Sequence, residues 1–245
     1  MSKLWHFGDS FATFSNLYDS YPEWIARSVN YEHITMGEGG FSNEQIFSKI
    51  LKYYNSFKKD DILIINFSFL SRMSYLDQFG NIQSTNTLFD DNKSQLTKKG
   101  LDFLKIDNEK MIDYLLNCNY DYNIKLFKNI SILLNNLIDL GVIVYSVLIK
   151  KEELYLNKKI YKINEYNLNL PNELIFSNTG YFDWLVNKGW KNEEDIHYTN
   201  GIQYELAIEY SNRMLLLNPD SILIKTINKN LLSNNIIKPI KKDLI

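Results

Sequence analysis

The chain has 245 residues, 45% hydrophobic and 23% charged, with a net charge of −2. That length and composition suit one globular domain with a sizeable core, and the near-neutral balance gives no electrostatic case for nucleic acid or an anionic membrane surface. A single cysteine, Cys118, excludes an intramolecular disulfide and a cysteine-based zinc site; no stretch nears the roughly 20 apolar residues of a membrane helix.

The amino terminus carries Trp5, His6 and Asp9 where a signal peptide would have an apolar run, so cytoplasmic synthesis without secretion by that route is expected. Residues 3–8 read as a short buried strand ending at Gly8. A helix is expected over 16–28, with Trp24 and Ile25 inward, then a second strand over 31–36. Helix two should run over 43–57, with Ile46, Ile50 and Tyr53 or Tyr54 at helical spacing. The continuous apolar run 62–67 predicts a central strand covered on both faces.

A long helix is expected over 108–140, broken near 118–122 where asparagine, aspartate and tyrosine cluster; Cys118 within it reads as a core or partly buried thiol. Gly141 suits a helix stop before a fourth strand over 142–149. The last helix should cover 199–217, with Leu206, Tyr210 and Met214 four residues apart, ended by Asn218-Pro219. This alternation predicts a three-layer α/β/α fold around a central parallel sheet. Segments 74–105 and 150–190 interrupt it after strand ends, where α/β folds bind ligands. They read either as substrate walls or as surface embellishment. Tyr181, Phe182, Trp184 and Trp190 suit a sugar face, but core filling is the leading reading. Residues 1–219 are taken as the domain. Residues 220–245 are read as an extended arm that packs on it, or on another copy or assembly.

Gly8-Asp9-Ser10 marks the end of the first strand. Gly8 permits a tight turn, which would expose the Ser10 hydroxyl beside free backbone N–H groups at the carboxyl end of a parallel sheet. Ser10 is then a candidate nucleophile; Asp9 or Ser10 as a helix cap is the alternative. A serine hydroxyl needs a base. Of the three histidines, His6 and His33 fall in apolar stretches, whereas His197 sits in a polar loop before a helix. Glu194 and Asp195, three and two residues earlier, are candidates to orient it; a solvated acidic loop is the other reading.

Together these blocks resemble the SGNH, or GDSL, hydrolases, which carry a nucleophilic serine in an amino-terminal Gly-Asp-Ser and a catalytic histidine just before the last helix. The resemblance implies a flavodoxin-like α/β/α fold and a Ser10–His197 pair completed by Glu194 (matching by spacing) or Asp195 (matching by residue type). In Gly37-Glu38-Gly39-Gly40-Phe41-Ser42-Asn43, Gly40 matches the family's oxyanion-hole glycine, with Ser42 and Asn43 opening a helix; a plain strand-to-helix connection is the other reading. The family's Gly-x-Asn-Asp block is replaced by Asn66-Phe67-Ser68-Phe69. Ser68 then stands at the family's asparagine, with Asn66 the donor if the register shifts. Asp9 and Arg72 are expected at the substrate cleft, Arg72 adding positive charge to its rim. The implied activity is ester hydrolysis without metal or organic cofactor, on a small-molecule or glycan ester, acetyl groups on carbohydrate foremost; lipid esters, thioesters and acyl transfer remain open. The abundant asparagine, lysine, isoleucine and tyrosine suggest AT-rich coding DNA, and a compact chain with this opening and weak middle blocks resembles phage-encoded members. The weak third block, the glutamate at the usual aspartate position and the carboxyl-terminal arm motivate the rival expectation: a catalytically weak or inactive fold with a binding or structural role in a virion or other assembly.

Overall fold

The structure is a computed structural model that describes residues 1–8, 20–38, 41–68, 74–76, 82–84, 108–149, 153–156, 159–162, 168, 170–178, 180–189 and 202–233. For 74–76, 82–84, 108–121, 153–156, 159–162 and 182–183 it describes the backbone alone.

Four parallel strands form the central sheet: β1 (Lys3–Gly8), β2 (Glu32–Thr35), β3 (Ile62–Phe67) and β6 (Ile143–Leu148), in the order β2-β1-β3-β6. Beyond β6, Ser146 N–H donates to Asn172 O (3.3 Å) and Leu174 N–H donates to Ser146 O (2.8 Å). That single parallel bridge, Ser146 to Glu173, stands where a fifth strand would and partly covers the β6 edge. The order is that of a doubly wound sheet, whose direction of winding reverses between β1 and β3.

Alternation along each strand sorts side chains to two apolar layers. Leu4, Ile62, Ile64, Tyr145 and Val147 face one layer, closed by α1 (Tyr21–Ser28), α4 (Tyr181–Asn187), α5 (Gln203–Leu217) and α6 (Ile222–Leu232). Trp5, Phe7, Leu63, Ile65, Phe67 and Val144 face the other, closed by α2 (Asn43–Tyr53) and α3 (Asn108–Asp139). Both faces are covered, which is why β3 is apolar at every position but Asn66. The expected three-layer α/β/α architecture with a parallel sheet is present. Hairpins β4–β5 (Ser74–Leu76 with Ile82–Ser84) and β7–β8 (Glu153–Leu156 with Lys159–Lys162) occupy parts of the two interrupting segments.

Two expectations are corrected. The long helix α3 continues through 118–122 without a break. Asparagine, aspartate and tyrosine each cost only about 0.5 kcal/mol of helix propensity, and no glycine or proline interrupts the run. The segment after Pro219 is not extended over 222–232, where it forms α6. Ser221 caps that helix by accepting from Ile224 N–H at 3.3 Å. Ile224, Ile227 and Leu231, at spacings of three and four, are fully buried against α1 and α5. Asn228 and Asn230, which disguised the pattern, reach Ser211 Oγ (2.9 Å) and Ser28 O (2.7 Å). Residues 234–245 lie outside the described residues.

The expected inner faces match: Trp24, Ile25, Ile46, Ile50, Leu206, Tyr210 and Met214 are buried. Tyr181 and Trp184 are core residues, grouped with Phe176 and Tyr210; the side chains of Phe182, Trp190 and Cys118 lie outside the described residues. Gly141 ends α3 with φ +85°, and a Cβ there would meet Lys59 Cγ at 2.9 Å.

Candidate active site

Ligands of doubly wound folds bind outside the strand carboxyl ends, at the point where the winding reverses. Here that point lies between β1 and β3. Gly8, the first residue of the Gly-Asp-Ser block, pairs in register with Asn66. Two residues past Asn66, Ser68 closes the end of β3 with only 2% of its surface exposed.

Backbone bonds draw the neighbouring turn to the same place. Met36 N–H donates to His6 O (2.7 Å) and Glu38 N–H donates to Gly8 O (3.3 Å), which extends the β1–β2 ladder past β2. Phe41 N–H then turns back onto Glu38 O (3.3 Å). The chain enters α2 through a capping box: Gln45 N–H donates to Ser42 Oγ (3.3 Å) and Ser42 N–H donates to Gln45 Oε1 (2.9 Å). Asn43, the first helical residue, grips the end of β3 with both ends of its amide. Ser68 N–H donates to Asn43 Oδ1 (2.7 Å), and Asn43 Nδ2 donates to Ser68 O (3.1 Å). Asn43 is 1% exposed, so these bonds replace water for a buried strand end. Glu38 is thus tied to Gly8 and Asn43 to Ser68, on the two sides of residues 39–40.

Beneath this edge, on the α1/α5 face, lies a second polar group. Tyr21 Oη donates to Asn66 Oδ1 (3.1 Å), Asn66 Nδ2 donates to Tyr210 Oη (3.0 Å), and Tyr21 Oη lies 2.9 Å from His6 Nε2. With the Tyr21 proton given to Asn66, the network assigns the donated hydrogen of the third bond to His6 Nε2. The Tyr21 and Tyr210 rings stack at 4.2 Å between centroids. Burial, helped by the nearby His33, pushes His6 down to about 3, so its imidazole is neutral. Burial also pushes both phenols above their ordinary range, with Tyr210 adding to the effect at Tyr21. The group is therefore a fully neutral network in which every donor named has an acceptor.

Of the residues that the sequence singles out, Asn66 and Ser68 lie within the described residues, at the end of β3. Asn66 points into the neutral network with its amide engaged by Tyr210 and Tyr21. Ser68 has its backbone held by Asn43. Asp9, Ser10, Gly40, Arg72, Glu194, Asp195 and His197 lie outside the described residues. Sequence reasoning did not find Asn43, Tyr21 or Tyr210 as site supports. Their partners are 15 to 182 residues away, and no local pattern distinguishes a buried asparagine amide from a helix-start residue. Among the described residues no group of three or more His, Cys, Asp or Glu could hold a metal ion, and no helix is long and apolar enough to cross a membrane.

No family model matches the chain, and no curated protein matches it. Among solved structures the chain is similar to a lipase/acylhydrolase from Enterococcus faecalis at 12% identity. That match covers 89% of this chain and 97% of the other, with a TM-score of 0.45. It is also similar to the protein YxiM from Bacillus subtilis at 11% identity, covering 96% of this chain and 57% of the other, with a TM-score of 0.33.

Proposed function

We propose that this chain is a serine ester hydrolase of the SGNH type, with Ser10 as nucleophile. The observation that carries the proposal is the position of Gly8. It ends the central strand β1 at the point of winding reversal, beside the clamped end of β3. Ser10 follows it by two residues, a span of at most about 7 Å. The Gly-Asp-Ser block therefore leaves the sheet where an α/β fold presents chemistry.

In this reading Ser10 Oγ attacks the ester carbonyl carbon while His197 takes the hydroxyl proton. Glu194 or Asp195 orients His197 and stabilises its cation. The carbonyl oxygen, now negative, is met by the N–H of Gly40 and by Ser68 or Asn66. Asn66 also holds Tyr210 and Tyr21 through its amide. Collapse breaks the ester C–O bond, His197 returns the proton to the leaving alcohol, and water attacks the acyl-serine to release the acid. Asp9 and Arg72 line the cleft, where Arg72 would favour an electron-rich substrate. Acetyl esters of carbohydrate are the proposed substrate class, on the strength of the sequence resemblance.

The test is hydrolysis of a short-chain aryl acetate by wild type and Ser10→Ala, both checked for folding by circular dichroism. Turnover that vanishes in Ser10→Ala supports the proposal. Equal turnover in the two proteins removes Ser10 from the chemistry, and inertness of both toward a wide ester panel moves the reading to a binding or assembly role.

A further inference from the structure

The segments that carry Ser10 and His197 run into two helices, α1 and α5, and the starts of those helices are bonded directly. The first helical N–H groups of α1 have no intrahelical acceptor. Ser20, the residue before the helix, makes no side-chain capping bond, and its Oγ has no hydrogen-bond partner among the described residues. Pro22 has no N–H to satisfy. Trp24 N–H uses Ser20 O at 3.1 Å. The N–H of Tyr21 is met from 182 residues away: it donates to Gln203 Oε1 at 2.9 Å. Gln203 is itself the first residue of α5, whose start also lacks a side-chain cap. Tyr21 and Tyr210, one from each helix, stack at 4.2 Å and share Asn66 at the end of β3.

We propose that Gln203 is a positioning residue that sets the separation of the nucleophile and base segments by tying the first residue of α5 to the first residue of α1. The inference rests on the serine hydrolase reading above. Gln203 touches neither substrate nor reacting atoms in this account; it acts through the two helix starts. Its selectivity for that role is chemical: only an acceptor of the right reach serves a backbone N–H, so glutamate replaces it and methionine, of similar length, does not.

The experiment compares wild type, Gln203→Met, Gln203→Glu and Ser10→Ala on an aryl acetate, with kcat and KM resolved and thermal unfolding recorded; Gln203→Ala replaces Gln203→Met if the latter does not fold. A misplacement of about 1 Å costs up to about 100-fold, so Gln203→Met should lose about 10- to 100-fold in kcat with KM nearly unchanged. Gln203→Glu should recover most of the loss. An active wild type, an inactive Ser10→Ala and an unchanged Gln203→Met would overturn the positioning role and leave the hydrolase reading intact. The same holds if Gln203→Glu is as impaired as Gln203→Met, or if only KM moves. A wild type inert in all arms would overturn the hydrolase reading and this proposal with it.

Discussion

The two ends of the parallel sheet are fastened by different chemistry. At the amino end one carboxylate does the work. Asp61, 1% exposed, accepts from Lys3 N–H (2.9 Å), from Trp5 Nε1–H (2.9 Å) and from Lys58 N–H (3.1 Å). It joins β1 to the turn before β3. At the carboxyl end the fasteners of the strand ends are neutral amides: Asn43 on Ser68 and Asn66 between two tyrosines. A buried carboxylate makes stronger, charge-assisted bonds, and nothing at the amino end requires the local potential to be neutral. Under the proposed hydrolase reading an oxyanion would develop at this end; there a fixed negative charge beside it would oppose the reaction, whereas neutral clamps leave the field to the donors aimed at it. The amino end is fastened by a carboxylate, and the carboxyl end by neutral amides.

The largest expected effect belongs to the carboxyl end. His197→Ala should lower kcat for an aryl ester by about 1000-fold or more, as loss of a triad base does, with an unchanged urea midpoint. Comparable turnover in the variant would break the comparison at that end. Next comes Asp61→Ala, which leaves three donors unpaired and should cost about 3 kcal/mol in urea unfolding. Its kcat should match wild type when assayed well below the unfolding temperature. A catalytic loss without a stability loss would reverse the roles of the two ends.

The neutral network supplies a pH test. His6 titrates at about 3 in the folded chain against 6.5 ordinarily. Between these values the unfolded chain binds the extra proton, so the stability is full above about pH 6.5 and is lost as pH falls towards 3. By pH 5 the loss from this group should be about 2 kcal/mol. His6→Gln, which keeps a donor for Tyr21, should show a shallower decline in urea midpoint from pH 7 to 5; equal slopes would mean that His6 is not held neutral. The smallest effect is expected at the amino end, where Gly141→Ala forces a side chain into φ +85° against Lys59. It should cost about 1–2 kcal/mol without altering kcat.

Much of the fold is legible in residue order. The strands β1, β3 and β6 are apolar runs that period and length identify, and Gly141 announces the stop of α3 as a glycine at positive φ. The start of α2 is equally clear because a capping box lies within four residues. The misread pieces share a cause. The unbroken course of α3 and the helix α6 both depend on packing that outweighs the weak preferences of asparagine and tyrosine. Ile224, Ile227 and Leu231 carry the helical period, but the lysines and asparagines around them suggest an extended arm. For the site, Gly8 and Ser68 are brought to adjacent strand ends by the sheet order; the Gly-Asp-Ser block is legible in the sequence, whereas before Ser68 the strand is legible and the family motif is not. Asn43, Tyr210 and Gln203 were not, since each meets a partner that only the tertiary fold brings near.

The central claim is that Ser10 is the nucleophile, and covalent labelling addresses it without choosing a natural substrate. Purified protein would be treated with an aryl fluorophosphonate, digested, and the adduct located by mass spectrometry, with His197→Ala treated in parallel. The account predicts a single adduct on Ser10 that forms far more slowly in His197→Ala. An adduct on another residue, or an unmodified Ser10 in folded wild type after prolonged treatment, would contradict it.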